Sequence, residues 1–108
     1  MSSPFTLAEI VSWYRSKQNE LQSCGVSLVD IREFGEDSPG AVVDFDEANA
    51  IGRICGWVSG DFDFEVLRIS DSKTLFGGHV RASSISDLEA KYEEFVRHLQ
   101  NPDLTGSS

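Results

Sequence analysis

Between residues 26 and 80 the chain is a run of short segments rich in β-branched and aromatic residues, and no gap between two of them is long enough to hold a crossover. Parallel neighbours need a connection of about a dozen residues or more, so successive segments are expected to pair antiparallel, as a meander. The segments read as Val26 to Phe34, Ala41 to Asp46, Ile51 to Ser59, Phe62 to Ser70 and Thr74 to Val80, which gives a sheet of four or five strands. The cluster GEDSPG (Gly35 to Gly40) separates the first two, and DSK separates the last two. EANA fits either a short helical turn or a bulged continuation of the strand.

Both flanks change period from two to nearly four. Thr6 and Glu9 form a capping box, and Leu7, Ile10, Val11, Tyr14 and Leu21 recur at helical spacing until Gly25 can end the helix. Trp13 lies at the edge of that stripe, where core-edge packing is the expectation and a partner contact the alternative. Ser86 and Glu89 form a second capping box ahead of a stripe of Leu88, Tyr92, Phe95, Val96 and Leu99, which ends before Pro102. Two helices with one apolar stripe each are most economically buried on the same side of the sheet. The expected fold is therefore α+β, a two-layer sandwich of an antiparallel meander with N- and C-terminal helices on one face. At 108 residues with 40% apolar content, one domain over residues 1–101 can build a core without staples, and the patternless tail at 102–108 is expected to fray.

Gly60-Asp61 reads as a two-residue type II′ turn, which pairs Ser59 with Phe62, Trp57 with Phe64 and Cys55 with Val66. Trp57 and Cys55 then share a face with Phe64 and Val66, while Ile54, Val58, Asp63, Glu65, Leu67 and Ile69 share the other. A one-residue slip would instead expose Trp57 and Arg53.

Eighteen acidic residues against nine basic ones give a net charge of −9, which repels nucleic acid and anionic membrane and favours basic partners. No apolar run is long enough to span a bilayer, and the N-terminus lacks a secretory pattern, so a soluble cytoplasmic protein is expected. Cys24 and Cys55 lack zinc spacing and read as reduced core thiols. DFDFE matches the start of a calcium loop, but Val66 and Ser72 stand where the loop needs Gly and Glu. Asp44 and Asp46 could meet Asp63 and Glu65 across neighbouring strands around magnesium, yet Leu67 replaces the lysine of a common metal-nuclease pattern. His79 and His98 enter no recognisable triad, and FGGH lacks the spacing of a phosphate loop. Neither catalysis, a cofactor nor a metal is implied. DFDFE is best read as a sheet face.

The segment VVDFDEANAIGRICGWVSGDFDFEVLRISDSKTLFGGHV, with SDLEAKYEEFVRHL after it and a Trp-containing helix before it, resembles the TriTu immunity proteins of bacterial polymorphic-toxin systems. The likeness runs from Trp13 to Leu99 and rests on strand consensus residues: Val-Asp-Phe, Ile-Gly-Arg leading to Trp-Val-Ser-Gly, and Asp-Phe-Glu-Val-Leu. Gly77-Gly78 departs from it ahead of His79. The resemblance implies a non-catalytic protein that binds and neutralises a cognate, basic toxin domain, as a monomer or homodimer. Candidate partner-binding residues are Asp44, Asp46, Trp57, Asp61, Asp63, Glu65 and His79, with Val58, Ile54 or Trp57 as the apolar anchor. The alternative is a small acidic secretion chaperone or adaptor that carries an effector segment.

Overall fold

The computed structural model describes residues 3–35 and 37–100; Glu36 of the first turn cluster and the tail expected at 102–108 lie outside them. Helix α1 (Leu7–Ser16) and the short α2 (Gln18–Gln22) precede strands β1 (Ser27–Phe34), β2 (Gly40–Glu47), β3 (Ala50–Trp57), β4 (Asp61–Arg68) and β5 (Thr74–Arg81), and α3 (Ile85–Gln100) closes the order. The strands form one five-stranded sheet in the order β1-β2-β3-β4-β5, with every neighbouring pair antiparallel. The α+β meander expected from the short connections is the one observed. EANA is neither a helix nor a bulge: Glu47 pairs with Ala50 across a tight Ala48-Asn49 turn.

Local chemistry sets the helix ends. Thr6 accepts from the Glu9 amide at 3.1 Å and Glu9 returns the bond to the Thr6 amide at 2.9 Å, which completes the first capping box. Past α2, the Gly25 amide donates to Gln22 and the Val26 amide to Leu21, with Gly25 at φ +82°. That pair of bonds is the left-handed helix stop, and the buried Leu21 and Val26 supply its apolar contact. The second capping box is not formed. Helix α3 starts at Ile85, so Ser86 is already inside it, and the Asp87 carboxylate takes the Ser83 amide at 2.9 Å. Glu89 is drawn elsewhere, to α1.

Alternation assigns the faces. Ala41, Val43 and Phe45 of β2, Ile54 of β3, and Phe62, Phe64 and Val66 of β4 are buried on one side, together with Ile10, Tyr14, Phe95 and Leu99 from the helices. Both helices reach β3 on that side through glycines. A Cβ on Gly52 would lie 2.7 Å from the Phe95 ring, and one on Gly56 would lie 2.2 Å from Phe62 and 2.8 Å from the Tyr14 hydroxyl. Trp13 is buried, packs edge-on against Phe62 and Tyr92, and donates its indole N–H to Glu89 at 3.0 Å. Lys17, only 12% exposed, bonds the same carboxylate at 3.1 Å and lies 4.5 Å over the Tyr92 ring. Burial pushes the Glu89 carboxyl up, but the Trp13 and Lys17 bonds together outweigh it and hold the group below the usual carboxylate range.

The β3–β4 hairpin corrects the expected register. Gly56 pairs with Phe62, Ile54 with Phe64 and Cys55 with Asp63. The loop is three residues, Val58 to Gly60, because the residue that needs positive φ is the third one: Gly60 sits at +101° and its amide donates to Trp57 at 2.9 Å. That odd shift exchanges the faces. Ile54 goes into the core, while Cys55 and Trp57 move to the side without helices. The cysteines are not core residues either: Cys24 is exposed and Cys55 is half-buried.

Filling the Gly56 approach should therefore be felt by both layers. Gly56→Ala is expected to cost about 1–3 kcal/mol through overpacking against Phe62 and Tyr14, read as a lower urea midpoint with an unchanged slope. A variant as stable as the parent would contradict the tight contact.

Candidate functional site

The face opposite the helices is built by the alternate residues of all five strands. Strand pairing lines them up in rows across the sheet. One row runs Asp30, Asp44, Arg53, Glu65 and Gly77, and the next runs Arg32, Val42, Cys55, Asp63 and His79. Asp46 and Ile51 belong to a flanking row at one end, and Trp57 lies at the other end beside Phe34, ring to ring at 5.7 Å. The seven residues singled out from the sequence, Asp44, Asp46, Trp57, Asp61, Asp63, Glu65 and His79, all fall on this one face. Of the three anchors proposed with them only Trp57 does: Ile54 is buried under the helices and Val58 packs against the core from the hairpin loop.

The acids are not equivalent. Asp44 lies between two guanidinium groups, accepting from Arg32 Nη2 and Arg53 Nε at 2.7 Å each, and its side chain is only 25% exposed. Asp63 Oδ1 lies 2.6 Å from His79 Nδ1, and Asp61 lies 3.3 Å from His79 Nε2 while accepting from the Ser59 hydroxyl at 2.8 Å. The Ser59 hydrogen bond is the main reason the Asp61 carboxyl is held below its ordinary range. Asp46 and Glu65 are exposed, and neither has a hydrogen bond or ion pair among the described residues. On this face those two carboxylates are the ones without a cationic contact within hydrogen-bond or ion-pair distance among the described residues.

The meeting of acids across neighbouring strands that the sequence spacing left open, and that the missing lysine argued against, does not occur. Strand β3 separates β2 from β4, and Arg53 occupies the row between Asp44 and Glu65. Among the described residues no three His, Cys, Asp or Glu side chains converge on a point where a metal ion could sit. Burial, and then the neighbouring Asp63, push the Cys55 thiol up, which favours its protonated form.

Sequence reasoning missed Arg32 and the apolar part of the face, and had Arg53 there only in the slipped register of the hairpin. A bulge between Leu28 and Asp30 inserts an extra residue in β1, and Val29 is left 55% exposed. With Ile51 and Leu67 it lines a half-open cavity of about 360 Å³, rimmed by Asp46, Arg53 and Glu65. Arg53 was readable from its alternation with Cys55 and Trp57 once the hairpin register is known; the bulge had no sequence signal.

A family model described as Immunity protein TriTu matches residues 8–98, which is most of the chain. No curated protein matches it.

The His79 bridge makes the face sensitive to pH. Its hydrogen bond to Asp63, and more weakly that to Asp61, raises the imidazole above its ordinary value of 6.5. The folded state thus favours the imidazolium. The stability this adds is fully present below about pH 6.5 and is lost as pH rises through the raised value. A proton NMR titration of His79 should have its midpoint above 6.5 and move down in Asp63→Asn. A parent midpoint at or below 6.5 would contradict the bridge.

Proposed function

The chain belongs to the TriTu family of immunity proteins, and from that membership we propose that it binds and neutralises a cognate bacterial toxin domain on the open face of its sheet. The observation that carries this reading is a sheet face opposite the helices on which Asp46 and Glu65 stand exposed, without a hydrogen bond or ion pair among the described residues. A net charge of −9 favours a basic partner, as a cleft built to hold a polyanionic substrate would be. Neutralisation then needs no chemistry: the face occupies the cleft, and charge sets the rate of encounter while apolar contacts set the lifetime of the complex. The neutralised toxin is intercepted in the cytoplasm of the cell that makes the immunity protein.

The pairing pattern on the face refines which residues contribute. Asp44 is spent holding Arg32 and Arg53 in place, so its part is to keep the face rigid. Asp63 and His79 act as a unit whose charge depends on pH. Trp57, half-buried against Phe34, offers an aromatic edge at the far end of the surface.

Co-expression with toxin domains encoded near its gene tests the reading. One of them should arrest growth alone and fail to do so with the immunity protein present; arrest unaffected by every such pairing would sink the proposal. For the neutralised toxin, Asp63→Lys combined with Glu65→Lys should slow association about tenfold at low salt and flatten its salt dependence. Circular dichroism should remain unchanged, and an unaltered association rate would remove this face from the encounter.

A further inference from the structure

We propose that the cavity beside the β1 bulge is the seat for a long basic side chain, a lysine or arginine projecting from the toxin. This rests on the open face being the toxin-docking surface and names what that surface selects. The walls are aliphatic: Val29 is 55% and Ile51 42% exposed, and Leu67 completes them. Val29, Ile51 and Ile69 are the exposed large hydrophobics among the described residues, and two of these three line this one cavity. The rim carries Asp46 and Glu65, whose carboxylates have no hydrogen bond or ion pair among the described residues, Arg53 acting on Glu65 only through its field.

Only one kind of side chain satisfies both features. Lysine and arginine lay an aliphatic stem along apolar surface while keeping the charged head at its edge, where Asp46 and Glu65 would receive it. A purely aliphatic side chain would fill the walls but strip water from two carboxylates without replacing it. An acidic one would be repelled. Arg53, the cation already on the rim, is turned away by its 2.7 Å bond to Asp44 and does not fill the place itself. The volume of about 360 Å³ is at the small end of ligand-sized cavities, enough for one such side chain and its neighbours. A second copy of this chain is a poor occupant, since each copy carries a net charge of −9.

Nitrogen-15 NMR of the intact protein tests the proposal with defined probes, the capped pentapeptide Ala-Leu-Lys-Leu-Ala and its counterpart with glutamate in place of lysine. The lysine peptide should give saturable shifts at the Val29, Ile51 and Leu67 amides, with a dissociation constant on the order of 1 mM. The glutamate peptide should not, and Asp46→Lys with Glu65→Lys should weaken the lysine peptide at least about tenfold. Equal responses to both peptides would reduce the cavity to an apolar patch and overturn the proposal. So would the absence of saturable shifts up to about 10 mM, or concentration-dependent shifts of the same amides without peptide, which would assign the cavity to self-association. Failure here leaves rescue from a toxin standing as a separate result, and failure of rescue with peptide binding intact would remove the toxin alone.

Discussion

Two glycines on one side of the central strand govern the architecture. Gly52 and Gly56 let Phe95 and Tyr14 reach the β3 backbone, so α3 and α1 lie side by side over the same face. Side chains at those positions would lift the helices away from the sheet. The helices are then tied to one another by Glu89, which holds the Trp13 indole and the Lys17 ammonium, with Lys17 also over the Tyr92 ring. Removing that carboxylate would leave a mostly buried cation with only the 4.0 Å contact to Glu20, so the tie favours one arrangement of the two helices. With both helices on one side, none of the described helices covers the reverse of the sheet.

That reverse carries ion pairs that link neighbouring strands, where the other side carries the helices. Asp44 bridges Arg32 of the edge strand and Arg53 of the central one, and His79 bridges Asp61 and Asp63. Exposed pairs of this kind add little to stability one by one. Their effect is on geometry and on where charge remains: they use up most of the acids and leave the unpaired negative charge next to the apolar cavity at the β1 bulge. A surface with an aliphatic hollow beside two unsatisfied carboxylates has the anatomy of an interface centre, with the paired residues as its rim.

The parts of this arrangement governed by period and connection length were legible in the residues. The 3.6-residue stripes placed the N-terminal helical stretch and α3, and the short turns imposed the antiparallel order; Gly25 marked where that first stretch stops, although the single helix read there is divided at Lys17 into α1 and α2. What depended on competition between equally good local choices was not. Gly60 could open a two-residue turn or close a three-residue one, and only the second brings Phe62 opposite Gly56, where its ring packs between Phe5 and Trp13. Ser86 and Glu89 have capping-box spacing, but Glu89 finds a stronger partner in Lys17. The neutralisation of Asp44 needs Arg32 and Arg53 from two different strands, so the acidic run alone overstated how much of it could face a partner.

The central claim is that the uncovered side of the sheet is where the toxin docks, and Cys55 reports on it directly. This half-buried thiol lies in the middle of that face, between Val42 and Asp63 in the cross-strand row. With Cys24→Ser removing the other thiol, maleimide labelling of Cys55 can be timed with and without a toxin domain from which co-expression gives rescue. The account requires bound toxin to slow labelling at least about tenfold, as expected of a site from which water is excluded. Labelling at the same rate in the complex would place the toxin elsewhere and contradict it.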